Sequence, residues 1–143
     1  MQREPIYAAL FALVSSVAGV KCASRRLKSF ADIGQGDQPA LFQEQKTEQS
    51  QATTNLPSKW TLSVDLLLFV STGANDPGVI PSSVLNPLLD AVTAKLVPPP
   101  QLGEQTLGGL VTRCRVEGQI QIVEGIQGDQ AWALIPVQVF VSD

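Results

Sequence analysis

The chain has 143 residues, with 13 acidic and 10 basic side chains and no histidine. That length fits one domain, which buries roughly 70% of the surface its unfolded chain exposes. The net charge of −3 argues against a nucleic-acid grip, which needs a basic stripe. The missing histidine removes the commonest general base and the commonest metal ligand.

Residues 4–18 predict the first helix. Pro5 suits a first turn, Glu4 favours the positive helix end, and Gly19 is a stop signal. The apolar run resembles a signal-peptide core, but it sorts large from small residues. Ile6, Tyr7, Leu10, Phe11, Leu13, Val14 and Val17 share one arc; Ala8, Ala9, Ala12, Ser15, Ser16 and Gly19 fill the other. A core helix needs that sorting and a secretion signal does not, so a structural helix is expected. The run is too short to span a bilayer.

Residues 24–30 read as a basic extended segment or short strand, followed by a turn-rich loop over 32–39. Order restarts at Ala40-Leu41-Phe42. Residues 43–55 are almost wholly polar. They read either as a disordered loop or as a hairpin that projects from the body.

Residues 59–72 form the strongest strand. Trp60, Leu62, Val64, Leu66, Leu68 and Val70 alternate on one face. The opposite face starts polar and turns apolar at Leu67 and Phe69. A turn signal lies at Asp76-Pro77-Gly78. A second helix is expected over 82–97, with Leu85, Leu88, Leu89, Val92 and Leu96 as its buried stripe and Pro98-Pro99-Pro100 ending it.

Residues 112–124 read as a strand that points Cys114, Val116, Ile120 and Ile122 one way and Arg113 and Arg115 the other. Gly118 marks a bulge or a close approach. A turn over 125–129 leads to a last strand over 131–142, with Trp132, Leu134, Pro136 and Phe140 on its second face. Pro136 cannot donate to a ladder, so this strand lies at an edge or carries a bulge there.

The expected architecture is a single α+β domain over 1–143. About four mostly antiparallel strands carry two helices on one face, in the order α-β-β-β-α-β-β, with a projecting polar hairpin or loop.

The sequence offers no catalytic constellation, metal site or cofactor loop. The glycine-bearing stretch over 103–109 lacks the lysine and spacing of a phosphate loop. Cys114 sits on an apolar strand face, as an inert thiol does. Cys22 lies near Lys21, Arg25 and Arg26, but no base accompanies it. Two cysteines do not make a disulfide framework, and both are expected reduced. No enzyme activity is expected.

Surfaces stand out instead. Leu67, Phe69, Trp132, Leu134 and Phe140 are surplus to one sheet face and want cover, from another chain or from a long loop. Arg25, Arg26 and Lys28 form a basic cluster, either an ion-paired contact or a solvated loop. Arg113 and Arg115 either join an interface or pair with Glu117 or a cross-strand acid. Phe42 opens the polar arm and completes the candidate interface set.

Five segments carry a family likeness: Glu4-Pro5-Ile6-Tyr7-Ala8-Ala9-Leu10-Phe11, Ser24-Arg25-Arg26-Leu27, Pro39-Ala40-Leu41-Phe42, Leu85-Asn86-Pro87-Leu88-Leu89-Asp90-Ala91, and Gly128-Asp129-Gln130-Ala131. In order and spacing the chain resembles the tail terminator proteins of long, flexible-tailed bacteriophages. That resemblance implies a homo-oligomeric ring, a hexamer, on the head-proximal end of the tail tube. The ring would bind the tube protein, end polymerisation and present a surface for the head–tail connector protein. DNA would pass through its bore without specific binding. The location implied is the virion tail, assembled in the host cytoplasm with no membrane contact. Two alternatives are a neck or connector completion protein and, from a different class, a small enzyme using Cys22. A third is a secreted protein lacking residues 1–18.

Overall fold

The computed structural model describes residues 1–72, 78–98, 100–101, 103–125 and 129–143. The Asp76-Pro77-Gly78 turn, the proline stop and the 125–129 turn fall partly outside those residues. So does Gly128 of the last resembling segment.

Helix α1 is Arg3–Ser15, starting one residue earlier and ending three residues earlier than expected. The Ser16 hydroxyl donates to the Leu13 carbonyl at 2.6 Å and helps end the helix there. Ile6, Tyr7, Leu10, Val14 and Val17 are buried, as the large arc predicts. Ala8 and Ala12 on the small arc are exposed. Gln43 fixes α1 to the sheet by donating to the Tyr7 carbonyl at 2.9 Å.

The fold is α+β as expected, with six strands among the described residues where about four were expected. They are β1 (Cys22–Ser24), β2 (Ala40–Thr53), β3 (Leu56–Ser71), β4 (Arg113–Val116), β5 (Gln121–Glu124) and β6 (Gln130–Ser142), with helix α2 (Pro81–Lys95) between β3 and β4. The lateral order is β1-β2-β3-β6-β4, with β5 also on β6. β3 and β6 pair without a break from Lys59 opposite Ser142 to Ser71 opposite Gln130.

One local outcome decides between two readings of the sequence, and two differ from it. First, the polar stretch is a hairpin. β2 runs straight on to Thr53 and turns through Asn55, at φ 62°, into β3. Its backbone groups on the β3 side pair across the ladder while its side chains stay wet, so no apolar alternation marks it.

Second, β1 pairs parallel with β2, Cys22 opposite Ala40, where antiparallel neighbours were expected. The strand also precedes the basic segment instead of containing it.

Third, the expected strand over 112–124 is split. Between the Val116–Val137 and Gln121–Leu134 pairs, the edge chain has four residues and β6 has two. Pro136 offers no N–H at that point, and Gly118 approaches its ring.

Both helices cover one sheet face. The main core joins α1 and α2 residues such as Leu10, Val14, Leu85 and Val92 to Leu62, Leu66, Ile135 and Val139. The opposite face carries a second cluster of Ile33, Ala40, Phe42 and Phe69. Cys22, Phe30, Leu67 and Trp132 pack against it.

Candidate functional site

The second face divides into a roofed end and an open end. The loop after β1 folds over the β1 side, where Phe30 stacks 4.9 Å from Phe69 and Phe42 meets it edge-on at 5.8 Å. Trp132 lies 6.1 Å from Phe69. Phe42 and Phe69 are 1% and 6% exposed, so the chain's own loop takes them up and leaves no surface for a neighbour. Leu67, Trp132 and Leu134 remain half-buried. Leu67 and Leu134 sit opposite one another in the ladder.

Past the roof the same face is polar and open. Ser63 donates to Gln138 at 3.0 Å, and Asp65 lies opposite Pro136. Burial pushes the Asp65 carboxyl up, with Lys46 opposing the shift. At the hairpin end, Phe140 faces Thr61 on one side and Arg113 on the other. The Arg113 and Arg115 guanidiniums stand 4.3 and 5.4 Å from the Phe140 ring centre. Arg115 also pairs with Glu117 at 3.2 Å, whereas Arg113 has no ion pair among the described residues.

The basic segment splits in role. The Arg25 guanidinium donates to both Glu4 carboxylate oxygens and to the Gln45 amide oxygen. This ties the loop to α1 and to β2. The hydrogen bond from Arg25 holds the Glu4 carboxyl below its usual range. Arg26, Leu27 and Lys28 are exposed beside it.

A second polar tie went unseen in the sequence. Glu48 on β2 accepts from Arg3 Nε at 2.7 Å and from the Tyr7 hydroxyl at 2.9 Å. Its only sequence signal was an acid within a polar run. Two exposed apolar residues on β5, Ile122 at 50% and Val123 at 40%, were also missed as surface. Ile122 shares the helix-side face with Ala133, as its alternation predicts, but no helix reaches it.

The sheet ends in two different edges. β1 pairs only with Ala40, Leu41 and Phe42, which leaves the outer edge of β2 over residues 43–53 without a strand neighbour among the described residues. On the far side, Cys114 N–H donates to the Gln105 carbonyl at 2.8 Å and so covers part of β4. β5 has no such cover among the described residues.

No family model matches the chain, and no curated protein matches it. Among solved structures it is similar to a chain in the virion of a native gene transfer agent particle. The two are 12% identical, with a TM-score of 0.44; the alignment covers 95% of this chain and 86% of that one.

The thiols stand apart from each other. Burial pushes Cys114 up to about 12, as expected of an inert core thiol. Cys22 packs half-buried against the second cluster. No group of three or more potential ligands converges among the described residues. No described helix is long and apolar enough to cross a membrane.

Proposed function

We propose that this chain is a structural subunit of a phage-type virion that caps the head-proximal end of the tail tube as a ring. The ring ends tube growth and offers the docking surface for the head connector. Its role is not catalytic, and DNA passes its bore without specific contact. The observation that carries this reading is the pair of unlike sheet edges: β2 over residues 43–53 and β5 on the opposite side. Unlike surfaces that fit head to tail close into rings when the rotation between copies closes, and unpaired strand edges are where chains meet. The five tail-terminator-like segments support the same reading, two of them in α1 and α2.

The test is deletion of this gene from its phage, followed by negative-stain imaging of the lysate. Overlong tubes without heads are expected. Free tails of normal length would instead assign the chain to neck or connector completion. Unaltered particles would remove it from the virion pathway.

A further inference from the structure

The cleft at the hairpin end of the open face has a volume of about 340 Å³. Lys59, Thr61, Thr112, Arg113 and Phe140 contribute to its walls. Its charged lining is wholly cationic, although the chain as a whole is acidic. The Arg113 guanidinium lies over the Phe140 ring, 4.3 Å from its centre, yet its Nε is buried with no hydrogen-bond partner among the described residues. A buried cationic donor without an acceptor is costly, and structures rarely leave one so. The stacked guanidinium is a pre-oriented fork whose natural complement is a carboxylate.

We propose that this cleft binds carboxylate side chains of an acidic segment on a partner protein. The partner's carboxylate accepts from Arg113, with Lys59 as the second cation and the threonine hydroxyls as further donors. A nucleic acid fits less well. The cations of the cleft form one cluster and not a stripe. The Phe140 face on which a base would stack already carries guanidinium groups. The proposal rests on the cleft alone and is independent of the capping role.

The test is fluorescence anisotropy at low salt with three labelled probes: a (Glu-Gly)5 peptide, a (Gln-Gly)5 peptide and a ten-residue oligothymidylate. The acidic peptide alone is expected to bind. Arg113→Gln and Lys59→Gln should each weaken it by about tenfold or more, a change of about 1.4 kcal/mol. Lys95→Gln, exposed on α2 and outside the cleft, should leave it unchanged. Lys59 is exposed, so its variant carries the test if Arg113→Gln fails to fold. Three results would overturn the proposal: oligothymidylate binding as tightly as the peptide, cleft variants with parental peptide affinity, or sedimentation showing that the cleft is occupied by a second copy of this chain.

Discussion

The Tyr7 hydroxyl shows how one polar atom can be held inside an apolar helix face. Tyr7 is 1% exposed, and its hydroxyl donates to Glu48 at 2.9 Å. Burial, then the Glu48 hydrogen bond, pushes it up to about 12. Its stabilising effect is therefore complete below the ordinary tyrosine value and is lost as pH climbs toward 12. Burial also pushes the Glu48 carboxyl up, but the bonds from Arg3 and Tyr7 outweigh this and hold it below its usual range. That contribution has the opposite sign: it is present above the ordinary glutamate value and fades as pH falls through the depressed one. Tyr7→Phe keeps the ring and removes the donor, so it should cost about 1 kcal/mol at neutral pH in urea unfolding. The gap between parent and variant should narrow in acid, where the bond to Glu48 loses its charge assistance. Gly118 is a second residue with a fixed requirement. Its φ is +122°, and a β-carbon there would lie 3.1 Å from Pro136 Cγ. Gly118→Ala should lower stability by about 1–3 kcal/mol, read from the urea midpoint.

The aromatic cluster on the second face is built by an element too irregular to be read from periodicity. Alternation along β3 made Leu67 and Phe69 legible as apolar residues on the wrong face, but alternation says nothing about what covers them. The cover is the Phe30–Asp32 turn of 3₁₀ helix together with Ile33, short and without an apolar period. Phe69→Ala should therefore cost about 3–5 kcal/mol in the isolated chain, as for a core aromatic. Leu134→Ala, half-buried outside that cluster, should cost about 1 kcal/mol, half of what full burial supplies. Urea unfolding of the two variants measures the contrast; equal losses would mean that the loop does not roof Phe69 in solution. The hairpin was legible only as one of two options because β2 is held by backbone pairing with β3 on one side and buries few side chains beyond Gln43. The two helices and the long strands were legible because their apolar spacing is set by the core they share. The split between β4 and β5 was legible at its cause, since Pro136 and Gly118 each announce a break; that both faced the same gap needed the register. Among candidate interface residues, Arg113 beside Phe140 could be placed by alternation, whereas the Arg25–Glu4 tie joins positions that no local pattern links.

At the scale of the whole molecule, the unbroken β3–β6 ladder makes one stiff sheet whose helix face is closed except at Ile122 on β5. What remains for neighbours are the two edges, the open end of the second face, and the exposed tip of the basic loop. Within that loop the structure separates fold from contact. Arg25 is committed to Glu4 and Gln45, so Arg25→Glu would set two carboxylates against each other and loosen the loop from α1. Arg26 and Lys28 are exposed and form no ion pair among the described residues. The double variant Arg26→Glu with Lys28→Glu should therefore unfold at the parent's urea midpoint, because exposed charges away from partners contribute little to stability. If the chain caps a tail tube as proposed, and this loop meets the tube or an adjacent subunit, the same variant in place of the parent should give overlong tails or unjoined heads. Like charges placed across a contact repel, and raising the salt should partly restore assembly in vitro. Tails of normal length joined to heads, from a variant that folds normally, would take Arg26 and Lys28 out of the interface and leave the sheet edges as the contacting surfaces.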